Sequence, residues 1–201
     1  MKRVILFALI QILMIGAHAQ EREYKTLMDL ENIRLSGMGG PFTQLTMVGG
    51  DLAHMVGGGG AILVGDFWLG GYGLEMTNQV YVDMAGAFPE VYNVDDHLNV
   101  NHGGFWIGYS LFGDFPVHVA ISSLIGWGQI SVVNDRHVSG PLDGVFVVSP
   151  TLEVELNLTN FFRLGVGASY NLYTFVDNIP GYSASDFSNP GAFLSIKFGW
   201  F

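Results

Sequence analysis

The sequence predicts an all-β chain: an eight-stranded antiparallel up-and-down transmembrane β-barrel. Three observations lead there. Segments of about ten residues alternate apolar and polar side chains with a period of two, as strands do when one face meets lipid and the other a lumen. Tight turns at Gly65-Asp66, Gly113-Asp114 and Thr159-Asn160 alternate with longer polar connections. The last stretch, Gly191 to Phe201, reads as an amphipathic strand that ends on aromatics.

Composition agrees. Charged residues make up 13% of the chain and hydrophobic ones 49%, and 28 residues are Gly. A soluble domain usually carries about 25% charge. Past residue 19, the best candidate for a membrane helix is Phe115 to Asn134, which contains Pro116, Gly126, Gly128 and many β-branched residues and so reads as strand. A chain this apolar without helices spans a bilayer only as a closed barrel, because each backbone N–H and C=O must be paired.

The elements follow in order. Residues 1–19 read as a secretory signal peptide, with Lys2 and Arg3 as the charged start, Val4 to Ile15 as the apolar core and Ala17-His18-Ala19 as the cleavage motif. The mature chain then begins near Gln20 or Glu21. With Lys2 and Arg3 removed, 6 basic residues stand against 18 acidic ones, a net charge of −12. That argues against nucleic acid, whose phosphates demand a basic face. There is no Cys, so neither a disulfide framework nor a lipid attachment site. Residues 20–36 carry half of the remaining basic residues and read as an N-terminal arm on the periplasmic side, before a barrel over 37–201.

Alternation and turn signals place eight strands at about 38–48, 52–63, 67–77, 102–112, 115–128, 145–158, 161–172 and 191–201. Strands one and two are glycine-rich, with Gly37, Gly39, Gly40 and Gly57 to Gly60. Glycine in a small barrel wall makes room for large lumen side chains or lets the sheet curve. A phosphate loop at Gly57 to Gly60 lacks the following Lys-Ser/Thr and the helix. Strand six sets Phe146, Val148, Leu152, Val154, Leu156 and Leu158 opposite Ser149, Thr151, Glu153, Glu155, Asn157 and Thr159. Strand seven repeats the pattern, with Phe162, Leu164, Val166, Ala168 and Tyr170 opposite Arg163, Gly165, Gly167 and Ser169.

The three tight turns lie 48 and 46 residues apart, one hairpin per period. Polar loops at 78–101, 129–144 and 173–190 alternate with them. Short turns inside and long loops outside are the habit of outer-membrane barrels, and an even strand count puts both termini in the periplasm. Phe67, Phe115 and Phe161 follow the turns and join Trp200 and Phe201 in an aromatic belt at the inner interface.

The signal peptide, the strand rhythm, Gly39-Gly40-Pro41-Phe42, the G-D-F turns and the aromatic end resemble small eight-stranded bacterial outer-membrane barrels. The run G-G-P-F…G-G-D-L-A…V-G-G-G-G-A…G-G-Y-G-L is similar to an uncharacterised barrel family of Gram-negative envelopes. The resemblance implies fold and location, and little about activity. One departure stands out: Leu194, Ile196, Phe198 and Trp200 share a face, and Phe201 is out of phase with them. Trp200 then shares the role of insertion signal.

The inward positions concentrate charge. Counted from the inner turns, His118, Glu153, Glu155, Arg163 and Lys197 fall at one depth on neighbouring strands. An outward Arg or Lys at mid-depth costs about 2–4 kcal/mol, which favours the lumen. Two acids and two bases balance there, as a salt-bridge plug or a gated ion path requires.

Catalytic chemistry has few footholds. His97, His102, Ser110, His137 with Ser139, and Glu75 are the residues an outer-leaflet lipid-modifying enzyme has available, without a local signature. His118 and Ser122 share a face but stand ~13 Å apart, beyond hydrogen-bond reach. Asp95-Asp96-His97 and Asp135-Arg136-His137 lack the ligand spacing of calcium or zinc sites. The loop over 78–101 is aromatic, apolar and acidic, with Tyr81, Met84, Phe88, Tyr92, Asp95, Asp96 and His97 as an interaction surface.

The expectation is a cofactor-free, non-catalytic barrel of the cell envelope with loop-mediated surface interaction. Its partners are outer-membrane lipids, lipopolysaccharide and the barrel-assembly machinery, with no nucleic acid. A small gated channel for hydrophobic or small solutes is the alternative, and a lipid A-modifying enzyme the third reading.

Overall fold

A computed structural model describes residues 35–82, 88–93, 95–134 and 137–201. The signal peptide over 1–19 and residues 20–34 of the expected arm lie outside the described residues. The strands are β1 (Leu35–Val48), β2 (Asp51–Val64), β3 (Phe67–Met76), β4 (Val80–Tyr81), β5 (His97–Leu111), β6 (Val117–Asn134), β7 (His137–Thr159), β8 (Phe162–Tyr170), β9 (Leu172–Thr174) and β10 (Pro190–Gly199). One helical turn, α1 (Ala184–Phe187), precedes β10.

Eight strands form the ring β1-β2-β3-β5-β6-β7-β8-β10, and β10 closes on β1. All pairings are antiparallel. The register sets the tilt. Val166 pairs with Val154 on one side. On the other, the partners run through Leu194, Thr43, Val56, Glu75, Asn101 and Gln129 to Gly144. One circuit therefore leaves β7 at Val154 and returns to it ten residues away, at Gly144. A stagger of that size over eight strands inclines them by ~40°, as in membrane barrels.

The tight connections use the chemistry that short turns need. Gly65 takes a left-handed conformation between β2 and β3. At the opposite end Gly49 and Gly50 both have positive φ (59° and 98°), as a two-residue turn matched to strand twist demands. The Gly113-Asp114 turn is longer than expected: Phe112 takes the left-handed position (φ 63°) and β6 begins at Val117. The strand expected from residue 38 begins at Leu35, so residues 35 and 36, assigned to the arm by sequence, pair with Val64 and Leu63.

The largest departure lies between β6 and β7. The polar connection expected over 129–144 is mostly a projecting hairpin, with Ile130 opposite Asp143 and Asn134 opposite His137. Ile130, Val132 and Val133 are buried there, and β-branched residues favour an extended chain over a loop. The loop over 78–101 shortens likewise, because β5 starts at His97 and takes β4 as a partner.

The outer wall carries an apolar belt. Leu69, Phe105, Ile121, Leu152, Val154, Val166, Leu194 and Phe198 are all exposed. A surface this apolar, all round a closed sheet, is covered in a bilayer by acyl chains. The inner positions of the same strands are buried and mostly polar or aromatic.

Candidate functional site

The lumen is filled in layers. At the turn end the Arg163 guanidinium lies 3.7 Å from the centroid of the Phe201 ring. Phe201 thus faces the barrel core, unlike the belt position expected of it, while Phe115, Phe161 and Trp200 are exposed and Phe67 is half-buried. The inversion follows from phase: Trp200 keeps the outward alternation of β10, and its successor points the other way.

Above Phe201 the structure brings together all five charged residues that the sequence placed in the lumen. The His118 Nε2 donates to Glu155 Oε2 at 2.8 Å. Arg163 Nη1 stands 3.6 Å from the same oxygen. The Lys197 ammonium donates to Glu153 Oε2 at 3.0 Å and to Glu155 Oε1. Ser195 Oγ donates to Glu153 Oε1 at 2.5 Å. All six side chains are buried. Burying one of these charges alone costs several kcal/mol, and their mutual pairing is what makes the layer tolerable.

An aromatic layer covers this one. The Trp68 and Trp106 rings each sit 5.2 Å from the Lys197 Nζ, within reach of a cation–π attraction. Phe42 packs on Trp106 and Phe193. Glycine makes this possible: a Cβ at Gly59 would come 2.8 Å from the Gly71 carbonyl oxygen, 3.0 Å from Trp106 and 3.3 Å from Phe42. Sequence reasoning missed the aromatic layer and Ser195. Their signal was phase alone, since Ser195 shares the inward face with Lys197 and Trp68 and Trp106 alternate with outward Leu69 and Phe105.

Higher still is a buried hydrogen-bonded layer. Gln44 Nε2 donates to Ser169 Oγ at 2.5 Å and to Asn171 Oδ1 at 2.9 Å. Ser149 Oγ donates to Asn171 Oδ1 at 2.7 Å, and Asn171 Nδ2 donates to Thr46 Oγ1 at 3.2 Å. The loop end is then covered by the segment between β8 and β10, where Tyr173, Val176, Ile179 and Phe187 are buried in the apolar cluster that also holds Val48 and Leu98. Asp143 ties that cover down. Its carboxylate accepts from the Asp177 N–H at 3.1 Å, the Asn178 N–H at 2.9 Å and the Asn178 Nδ2 at 2.6 Å.

The loop residues singled out by sequence are divided. Tyr81 and Phe88 are exposed. Tyr92 is buried, stacks edge-on against Phe88 and donates to the Pro180 carbonyl at 2.8 Å. Burial, with Tyr182 nearby, pushes its phenol up to about 12, so it stays a donor. Asp96 is buried and accepts from the Asn93 N–H and from Asn134. Asp95 is exposed and His97 half-buried, its ring edge-on to Tyr81. Met84 lies outside the described residues.

The catalytic candidates do not converge. His102 is buried in the lumen, 2.9 Å from the Tyr72 hydroxyl. Ser110 is buried where its N–H meets the Asp66 carbonyl at the turn end. Glu75 is exposed on the outer wall. The side chains of His137 and Ser139 lie outside the described residues. Among the described residues no group of three or more His, Cys, Asp or Glu is arranged to hold a metal.

Comparison with solved structures finds the same fold in Neisserial surface protein A, at 11% identity and a TM-score of 0.58, over 85% of this chain and 99% of that one. The attachment invasion locus protein Ail of Yersinia pestis matches at 11% identity and a TM-score of 0.44, over 82% of this chain and 97% of that one. Ail in complex with the heparin analogue sucrose octasulfate matches at 9% identity and 0.42, over 84% and 99%. No protein-family model and no curated protein sequence matches. The first likeness supports the eight-stranded barrel of the outer-membrane type, and its identity is too low to carry a function.

Proposed function

We propose that this chain is a non-conducting, non-catalytic β-barrel of the Gram-negative outer membrane. It serves envelope structure or surface interaction through its loops. The turn end and both termini face the periplasm, and the projecting β6–β7 hairpin and the covering segment face the exterior. Its partners are outer-membrane lipids, lipopolysaccharide and the barrel-assembly machinery.

One observation carries this reading. The lumen is packed from the charged layer through the aromatic and hydrogen-bonded layers to the loop cover, with Trp68, Trp106, Glu153, Glu155 and Lys197 all fully buried. An eight-stranded barrel leaves a lumen only wide enough for its own side chains. What remains accessible is the loop end, where Tyr81, Phe88 and Val91 present apolar area on a rigid scaffold.

Planar-bilayer recording tests it. The full-length mature chain is expected to insert, to migrate faster unboiled than boiled in detergent gels, and to show no stable unitary conductance. Reproducible steps from the heat-shifted protein would support the channel alternative instead. Unchanged lipid A mass spectra with and without the protein are expected for a non-enzyme, and a new acylation or deacylation product would contradict it.

A further inference from the structure

Among the described residues, two other than glycine take a left-handed backbone: Phe112 (φ 63°) and Phe175 (φ 69°). A bulky side chain is a costly choice there, and such strain gathers where function holds it in place. Phe112 belongs to the β5–β6 turn and meets Phe115 edge-on, where an interfacial aromatic belt accounts for both rings. Phe175 has no such account. It is 67% exposed, while Tyr173 and Val176 on either side are buried.

The backbone around Phe175 is fixed by other groups. The buried Asp143 carboxylate accepts from the Asp177 and Asn178 N–H groups just after it. Just before it, Thr174 pairs with Phe146. The ring is therefore held out by a frame that does not use it for packing. Depth separates it from the belt as well. Phe146 lies 13 residues from Thr159, the turn end of β7. At ~3.3 Å per residue and ~40° tilt that is ~33 Å, whereas the apolar band is ~25 Å tall, so Phe175 stands ~8 Å beyond it.

Charge describes what can approach. From Leu35 onward the only Lys and Arg residues are Arg136, Arg163 and Lys197. Arg163 and Lys197 are buried in the lumen, and the Arg136 side chain lies outside the described residues. At the loop end Asp51, Glu90, Asp95 and Asp177 are exposed. Among the described residues there, no Lys or Arg stands ready for a lipopolysaccharide phosphate.

We infer that Phe175 is the anchor of an exterior docking surface for a protein partner that offers an apolar pocket with a basic rim. This deepens the loop-mediated reading above and rests on it. Leu142, beside Asp143 on β7, is exposed and widens the apolar centre. Asp177, two residues past the anchor, supplies an acidic edge. An aromatic anchor held in place beforehand loses little freedom on binding. An acidic rim steers a basic partner in and turns an anionic one away.

A random dodecapeptide library on phage tests this, panned against the full mature chain in neutral-detergent micelles and against its Phe175→Asn variant. Asn takes a left-handed backbone readily. The variant is therefore expected to keep its heat-shifted gel band and the wild-type rate of protease cleavage over residues 175–182. The wild-type chain is expected to enrich peptides that combine Lys or Arg with an apolar residue. Synthetic copies of these should bind Phe175→Asn about tenfold more weakly and Asp177→Asn about threefold more weakly. Peptides held equally well by Phe175→Asn overturn the anchor. Enrichment of acidic or uncharged peptides overturns the basic rim. Faster cleavage of Phe175→Asn over that segment makes Phe175 a structural residue and overturns the proposal. Purified lipopolysaccharide held by the wild-type chain and lost by Phe175→Asn makes the occupant lipopolysaccharide instead. A chain with no heat shift, or with stable conductance, fails the envelope reading itself. A heat-shifted, non-conducting chain that enriches no peptide fails only this inference.

Discussion

On β1, β2, β3 and β5 the wall is thin and the lumen receives Phe42, Trp68, Tyr72 and Trp106. On β6, β7, β8 and β10 the outward face is mostly bulky and the lumen receives His118, Glu153, Glu155, Arg163, Ser195 and Lys197. The two halves meet where Lys197 lies beneath Trp68 and Trp106. A closed barrel has a fixed interior volume, and packing leaves few voids. Large rings from one side therefore require small groups elsewhere, and glycine in the wall is the cheapest place to find the room. The comparison teaches that the glycines and the charges are two parts of one filling problem.

The largest effect is expected from the charged half. Glu155→Lys places another cation beside Lys197 and Arg163, next to His118, and is expected to destabilise the barrel by about 3–5 kcal/mol. Urea unfolding in lipid reads this, and an unchanged midpoint would break the comparison. In the glycine half, Gly59→Val crowds Trp106 and Phe42 as well as the Gly71 carbonyl and is expected to cost about 1–3 kcal/mol. That cost should shrink in a Trp106→Ala background, where the ring is gone. Equal costs in both backgrounds would show that Gly59 serves the backbone rather than the lumen.

Smaller effects sharpen the picture at the two ends. Asp143→Ala removes the acceptor for three donors of the covering segment and is expected to cost about 1–3 kcal/mol locally. Faster protease cleavage over residues 175–182, with the barrel's own midpoint preserved, is the outcome to look for. Phe201→Ala removes the ring under Arg163 and is expected to cost about 0.5–1 kcal/mol. A larger loss than from Trp200→Ala in insertion assays would restore Phe201 to the membrane belt.

The charged half was the more legible in sequence. Strand β7 alternates without interruption from Leu152 to Leu158, and ionised side chains in a membrane strand have one affordable direction. Which acid meets which base was not legible, because partners such as Glu155 and Lys197 depend on the stagger between strands that alternation does not encode. The glycine half was harder. Alternation is invisible where both faces carry Gly, as at Gly57 to Gly60 on β2, and the phase of Trp68 and Trp106 is blurred by Gly70 and Gly71 on β3 and by Gly103, Gly104 and Gly108 on β5. The β6–β7 extension was hidden by its polar tip and by Gly140-Pro141, which read as loop. The cover over the lumen rests on contacts such as Asn171 with Gln44 and Asp143 with Asn178, between residues distant in the chain.

The central claim is that the lumen is sealed by side chains that depend on one another. A double-mutant cycle on Glu155→Gln and Lys197→Met, read by reversible urea unfolding in lipid, tests it most directly. The account predicts that the double variant loses less than the two single losses together, by about 0.5–3 kcal/mol. Strictly additive losses would contradict it, and would mean that the charges in the lumen stand as neighbours rather than as one plug.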